Sequence, residues 1–461
     1  MNRRIVWSLI ALVAIVALSL SACAGAPQPA QAPVAGAPTA VAEGTAPAAA
    51  PVAGEEGEVT LTIWDFGGVD FQWLDDIIIP AYQETHPNIK FNHVGVPEEE
   101  LALKLETAVA AGEVPDLVVF APARLVPAGH ILLLNENMAA AGLKPDDYCP
   151  LFSSRDMIDD KVFSLPISTN QWATLYNKDA FKAAGLPELG VNDVMDFDQW
   201  LEYTRALNKP ADNLQDRVWG SNLYFPIWNS MNNYMSDPFV VGEDGKTCVG
   251  NADTDDWVHV WEVLKTAYEE DLTTWSGSAL LADVQENMFN QGKIGMTEGT
   301  LGEAIAAREA GINVGMTGQP VVTKGWQGNV GGWNTSYSIM AGSKHPVEAW
   351  EFLKYMSTDG ALLVAGKEGE IGGVPCYLPV AEEYLKVVGN DPLVVQSMDL
   401  MKRIIPPPFT PDIWGAVDPF NEAWRAMTED NADVREVVNA ATEECQEILD
   451  QQWTDWDALS Q

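Results

Sequence analysis

Val59-Thr-Leu-Thr-Ile-Trp64 alternates apolar and polar residues with period two and is rich in β-branched side chains, the pattern of a half-buried strand. A helix is expected next, around 71–84, closed by His86-Pro87 because a residue before proline is kept out of the helical region. Residues 89–94 read as a second strand. Pro97 then stands where a first helical turn tolerates it, and Glu98, Glu99 and Glu100 complement the positive end of the helix dipole. That helix is expected to run to Ala111 and stop at Gly112, before the buried strand Asp116-Leu-Val-Val-Phe120. A β-α-β-α-β order implies a parallel sheet covered by helices, hence an α/β fold. Ligands in such sheets sit beyond the carboxyl ends of the strands, which points to Trp64-Asp65-Phe66 and to Phe120-Ala121-Pro122.

The rest of the chain is richer in helix. Asp253 or Thr254 caps an amphipathic helix to about 270, whose Trp257, Trp261 and Leu264 share one stripe and are expected in the core. Pro346 opens another helix through Tyr355, with Trp350 and Leu353 as core residues, and 434–451 forms a third. No tandem repeat occurs at 20–50 residue spacing.

The chain has 461 residues, with 26 Lys+Arg against 66 Asp+Glu, a net charge of −40. An apolar share of 47% builds a core, so global disorder is excluded. Nucleic acid and anionic membrane surfaces are excluded as electrostatic partners, because both are bound by Lys and Arg. The 17 Trp form an unusual stock of flat, amphipathic rings.

Arg3 and Arg4 precede an apolar run over 5–20 and then Leu20-Ser21-Ala22-Cys23, which reads as an export signal. Ending in cysteine, it resembles the lipobox of bacterial lipoproteins, which implies removal of 1–22 and a diacylglycerol anchor on Cys23. Residues 23–58, almost wholly Ala, Pro, Gly, Val and Gln after the cysteine, are expected to form a disordered tether. The expected location is the outer face of the cell membrane. Cys149, Cys248, Cys376 and Cys445 remain, and in an oxidising compartment they allow three disulfide pairings.

Enzyme motifs are missing. The chain contains no G-x-S-x-G elbow, H-E-x-x-H pair or G-x-G-x-x-G loop. Gly245-Lys246-Thr247 ends like a phosphate loop, but Val240 occupies the place of its first glycine, so it reads as a turn. Five dispersed histidines give no metal-ligand spacing. No catalytic residue, metal or cofactor is therefore expected.

Several blocks occur in an order shared with a known family: Ala110-Ala-Gly-Glu-Val-Pro-Asp-Leu-Val-Val-Phe120, Lys161-Val-Phe-Ser-Leu-Pro166, Leu175-Tyr-Asn-Lys-Asp-Ala-Phe-Lys-Ala-Ala-Gly-Leu-Pro187 and Phe197-Asp-Gln-Trp200. Phe289-Asn-Gln-Gly-Lys-Ile-Gly-Met296 and Gly342-Ser-Lys-His-Pro-Val-Glu-Ala-Trp-Glu-Phe-Leu353 follow. From Val59 onward the chain resembles the sugar-binding, maltose-binding-protein-like extracellular solute-binding proteins of ABC importers. The resemblance implies a type II-like periplasmic-binding-protein fold of two lobes around a hinge. One lobe is expected over 59–172 plus 318–356, the other over 173–317 plus 357–461. The chain would cross near 171–174, 314–319 and Ser357, with Gly315 and Gly318 suited to absorbing rotation.

The same resemblance implies a ligand cleft of Trp64, Asp65, Phe66, Phe120, Ala121, Asn170, Tyr224, Trp228, Glu298, Gly299, Gly332, Trp333 and Trp414, with Asp65 accepting sugar hydroxyls. Thr300-Leu301 departs from the pattern by replacing a tryptophan common in relatives. Aromatic rings match the C–H faces of sugars, and the polar residues match their hydroxyls. None of these residues is Lys or Arg, which argues against phosphorylated solutes. A neutral sugar or oligosaccharide is the expected ligand, delivered by a monomer to permease subunits. The alternatives are a polyamine or quaternary amine held by cation–π contacts, and a lipid-anchored carbohydrate-active enzyme.

Overall fold

The computed structural model describes residues 57–67, 71–222, 240–274, 288–325, 331–365, 373–388, 390–404 and 408–459, without the side chains of Glu99 and Trp414. Cys23, Tyr224 and Trp228 lie outside these residues.

The opening alternation becomes β1 (Val59–Asp65), which buries every second residue. β2 (Ile89–Gly95) and β3 (Leu117–Val119) flank it in parallel register. The first connection is a π-helical segment, Leu74–Ile78, continued by the α-helix Ile79–Gln83. The second is the helix Glu98–Ala111, which follows Pro97 and stops at Gly112, where φ of 70° suits glycine.

β4 (Met157–Ile158) and β5 (Lys161–Val162) form a small hairpin ahead of β6 (Leu165–Asn177), the axis of the fold. The remaining strands are β7 (Trp219–Ser221), β8 (Ile294–Gly299), β9 (Val314–Thr317), β10 (Gly331–Ile339) and β11 (Val374–Pro375). From Leu165 to Trp172, β6 pairs antiparallel with β10, which also pairs with β3. From Ala173 to Asn177 it pairs instead with β8 and β9. One strand is thus shared by two half-sheets and exchanges partners between Trp172 and Ala173.

After Ser357 the chain stays with the first half for a stretch. The helix Asp359–Val364 packs on Pro346–Ser357 and on the Leu74–Ile78 segment, and β11 pairs with Thr169 and Ser168. A disulfide from Cys376 to Cys149 holds β11 there, and a second joins Cys248 to Cys445. This selects one of the three pairings that the sequence allows.

Thr254 caps the helix Asp255–Glu269 through its hydroxyl, and Trp257 and Trp261 are fully buried, with Trp261 stacked on Phe420. Trp350 and Leu353 are also core residues. The last helix, Val434–Leu459, outruns its expected end because Trp453 and Trp456 pack on Phe409. Gly245-Lys246-Thr247 is a turn closed by the Asp244 carboxyl, which accepts from Lys246 N and Thr247 N.

Candidate functional site

At the carboxyl ends of β1 and β3 the chain places two aromatic rings face to face. Phe66 and Phe120 stack at 5.6 Å between centroids, both half-buried, and Ala121 follows directly. Phe120 has φ of 45°, a left-handed conformation that is costly for a bulky residue, and its N–H donates to Ser336 O at 3.1 Å. Trp64 lies apart. Strand alternation turns it to the opposite face from Asp65, where Lys104 Nζ sits 4.6 Å above its ring.

Asp65, expected to accept sugar hydroxyls, is fully buried with both oxygens turned inward. Oδ1 accepts from Gly67 N at 2.7 Å, and Oδ2 accepts from the Tyr337 hydroxyl at 3.1 Å. His93 Nε2 makes a 2.7 Å ion-pair contact with Oδ2, off the direction of a hydrogen bond. Its Nδ1 meets Asp75 Oδ2 at 2.8 Å.

A second group gathers where β6 changes partners. Asn170 pairs with Trp333 and Trp172 with Gly331; one step further, Ala173 pairs with Gly299 and Thr174 with Glu298. Asn170, Glu298, Gly299, Gly332 and Trp333 therefore come together. The rings of Trp172 and Trp333 lie 5.0 Å apart, both half-buried. Gln319 is buried beside them: its Oε1 accepts from Gly331 N at 3.2 Å and its Nε2 lies 3.5 Å from Glu298 Oε1. Asn170 is itself buried.

The two glycines serve close packing. A Cβ on Gly332 would sit 2.4 Å from Asn170 O, and one on Gly299 would sit 2.6 Å from Leu175 Cδ1. The first neighbour is backbone and cannot yield cheaply. Gly332→Ala is expected to destabilise the fold by about 2 kcal/mol or more, while Gly299→Ala, facing a movable side chain, costs less. Urea unfolding of the two variants checks the order.

In the second half-sheet, β7 and β8 run parallel, and a crevice opens at their carboxyl ends. Ser221, Asn222, Thr297 and Glu298 supply its polar lining, with Thr174 from β6, and Trp200 and Phe197 add aromatic walls. Thr300 has a structural role. It caps the helix Leu301–Glu309 in a reciprocal pair with Glu303, and Leu301 is buried. Trp414 falls in the short helix Ile413–Val417. No cluster of His, Cys, Asp and Glu fit to hold a metal ion occurs among the described residues.

Trp172, Gln319, Ser221 and Asn222 were not legible as site residues. Trp172 sits inside a long strand without loop signals, and the others depend on pairing between distant segments.

Below Trp333, Asn334 Nδ2 donates to Asp156 Oδ2 at 2.7 Å and Ser164 Oγ donates to Oδ1 at 2.6 Å. Burial pushes the Asp156 carboxyl up to about 6, against these hydrogen bonds, which favour the charged form. Between the ordinary carboxylate range and that value the folded chain holds a proton that the unfolded chain has lost. Stability therefore falls as pH rises through this window, by on the order of 3 kcal/mol. Asp156→Asn keeps the shape and removes the charge. Its melting temperature is expected to exceed the native one at pH 8, with the gain shrinking towards pH 5, as calorimetry would read.

Two half-sheets sharing one long strand define the fold class, and solved structures agree. The GacH receptor of Streptomyces glaucescens matches with a TM-score of 0.68 at 20% identity, over 86% of this chain and 99% of that one. An ABC substrate-binding protein of Listeria monocytogenes, solved with cycloalternan, matches with a TM-score of 0.67 at 15% identity, over 85% and 99%. The fold is that of the two-lobed, MalE-type periplasmic binding proteins. The profile of the family described as bacterial extracellular solute-binding protein matches residues 68–362, and the chain belongs to that family. The multiple sugar-binding protein of Streptococcus mutans is 24% identical over 333 residues, 68% of this chain and 74% of that protein.

Proposed function

We propose that the chain is the solute-capturing component of an ABC importer and binds a neutral sugar or oligosaccharide where β6 passes between the half-sheets. The Trp172–Trp333 pair beside Glu298 carries this reading: half-buried rings adjoin a hydroxyl-binding carboxyl at the meeting of two halves. The absence of Lys and Arg from the proposed group supports a neutral solute over a phosphorylated one. The carbohydrates named for the structural relatives lend the same support.

In this reading 59–172 and 318–356 make one lobe and 173–317 with the later chain the other, except that 357–377 remains with the first. A ligand touching both halves favours the closed population, which a permease can distinguish from the empty one. The chain acts by binding, without catalysis, and is exported and held to the membrane by a lipid on Cys23.

Calorimetric titration of the full chain with maltotriose, mannotriose, glucose, spermidine and glycine betaine tests the ligand class. Saturable binding of a neutral saccharide is expected. Binding of an amine alone would transfer Glu298 to the role of cation anchor, and turnover of an aryl glycoside would overturn the non-catalytic reading. For the anchor, metabolic labelling with a radioactive fatty acid is expected to mark the native chain and to leave Cys23→Ser unlabelled. Equal labelling of the two, or none of the native chain, would contradict lipidation at Cys23.

A further inference from the structure

We propose that Asp65 is a positioning residue: its carboxyl fixes the Gly67 N–H, and with it the turn that sets Phe66 against Phe120, while His93, Asp75 and Tyr337 fix Asp65. The inference rests on the sugar-cleft reading for its binding consequence and on geometry alone for the rest.

The chain of contacts crosses the first half-sheet. Asp75 on the π-helical segment meets His93 on β2, His93 meets Asp65 on β1, and Tyr337 on β10 donates to the same Asp65 oxygen. Ile63 and His93 are partners in register, so Asp65, two residues on, shares their face. Such a buried carboxyl, with partners on three sides, offers nothing to a solute. Its free role is downstream. Oδ1 takes the Gly67 N–H at 2.7 Å, and Gly67, at φ of 67°, presses on Gly95 so closely that a Cβ would lie 2.7 Å from Gly95 Cα. Phe66 is thereby pinned between Asp65 and Gly67. Its ring stacks on Phe120 and meets the buried Phe71 edge-on, both at 5.6 Å. The left-handed backbone of Phe120 persists because its neighbours over-determine it.

The titratable groups facing His93 are Asp65 from β1 and Asp75 from the π-helical segment, with Tyr337 reaching the shared oxygen from β10. Burial lowers the affinity of His93 for its proton, but the close contacts and negative charges of Asp65 and then Asp75 outweigh it and raise the ring to about 9. Because the folded value is raised, the contribution to stability is complete below the ordinary histidine range and is lost as pH climbs through about 9. In the folded chain the ring therefore keeps its proton and its contacts across neutral pH and loosens in alkali, while its contribution to stability declines between those two values.

Fluorine NMR of the full chain carrying 4-fluorophenylalanine provides the test, with the Phe66 resonance assigned by its loss in Phe66→Leu. In the native chain this resonance is expected to move with a midpoint near pH 9. Asp65→Asn and His93→Gln should displace it at pH 7 towards the alkaline position and abolish the step, while Tyr337→Phe, which removes one hydroxyl and spares the ion pair, should displace it less. A Phe66 resonance at its native position in both Asp65→Asn and His93→Gln would overturn the proposal.

Maltotriose titration supplies the functional arm. Asp65→Asn and Phe66→Leu are each expected to weaken binding about tenfold, and the double variant no further, because one acts through the other. A hundredfold loss in the double variant would make Asp65 an independent contact. Native protein that ignores maltotriose and the other neutral sugars would count against the sugar reading, while the fluorine spectra would still decide the role of Asp65.

Discussion

Replacing Trp172 and Trp333 together by alanine is expected to weaken saccharide binding at least a hundredfold, about 3 kcal/mol, while cooperative melting is preserved. The rings stand 5.0 Å apart on neighbouring strands, half-buried at the point where β6 leaves β10 for β8 and β9. A sugar laid against either ring exchanges two hydrated apolar faces for one contact, and rings of this size dominate the energetics of such interfaces. Each single variant should lose about tenfold, so that the two losses roughly add. Calorimetric titration measures the affinities. A double variant that binds like the native chain would remove this pair from the site.

The second large effect concerns stability. Exchanging Cys149 and Cys376 for serine removes a link between residues 227 apart in sequence. On the chain-entropy account a closure of that length is worth on the order of 5 kcal/mol. The cost should be smaller, about 3 kcal/mol, because disulfides commonly stabilise by less than the chain-entropy figure. The bridge also holds β11 to β6, so its loss should loosen the chain around Val374 and Pro375 before global unfolding. Guanidinium titration of this variant, and of the Cys248/Cys445 pair, compares the two bridges. A midpoint equal to the native one would mean that strand pairing alone holds β11.

Local pattern carried much of the fold. The alternation of 59–64, the glycine stop at 112 and the Thr254 cap each act over a few residues, and each forms the element its sequence announces. What a short window does not encode is partnership. The change of partners within β6 depends on strands more than a hundred residues away. The final helix outruns its sequence signal for a similar reason, since Trp453 and Trp456 are held by Phe409 from outside it.

The site divides in the same way. Phe66, Phe120, Glu298 and Trp333 follow from the strand-end rule and from ordered motifs, and they sit at strand ends or at the β6 exchange. Trp64 and Asp65 stand at a strand end too, yet alternation sends one under Lys104 and the other into a buried ion pair. Position along a strand is legible in sequence. The company a side chain keeps on its face of the sheet is set by tertiary pairing.

The central claim is that a neutral saccharide is captured beside the tryptophans of the strand exchange. Intrinsic tryptophan fluorescence of the full chain, titrated with maltotriose and mannotriose and in parallel with spermidine, tests it most directly. A saturable change with a saccharide, lost in Trp333→Ala and absent with spermidine, is the predicted result. A saturable change with spermidine and none with any neutral sugar would contradict it.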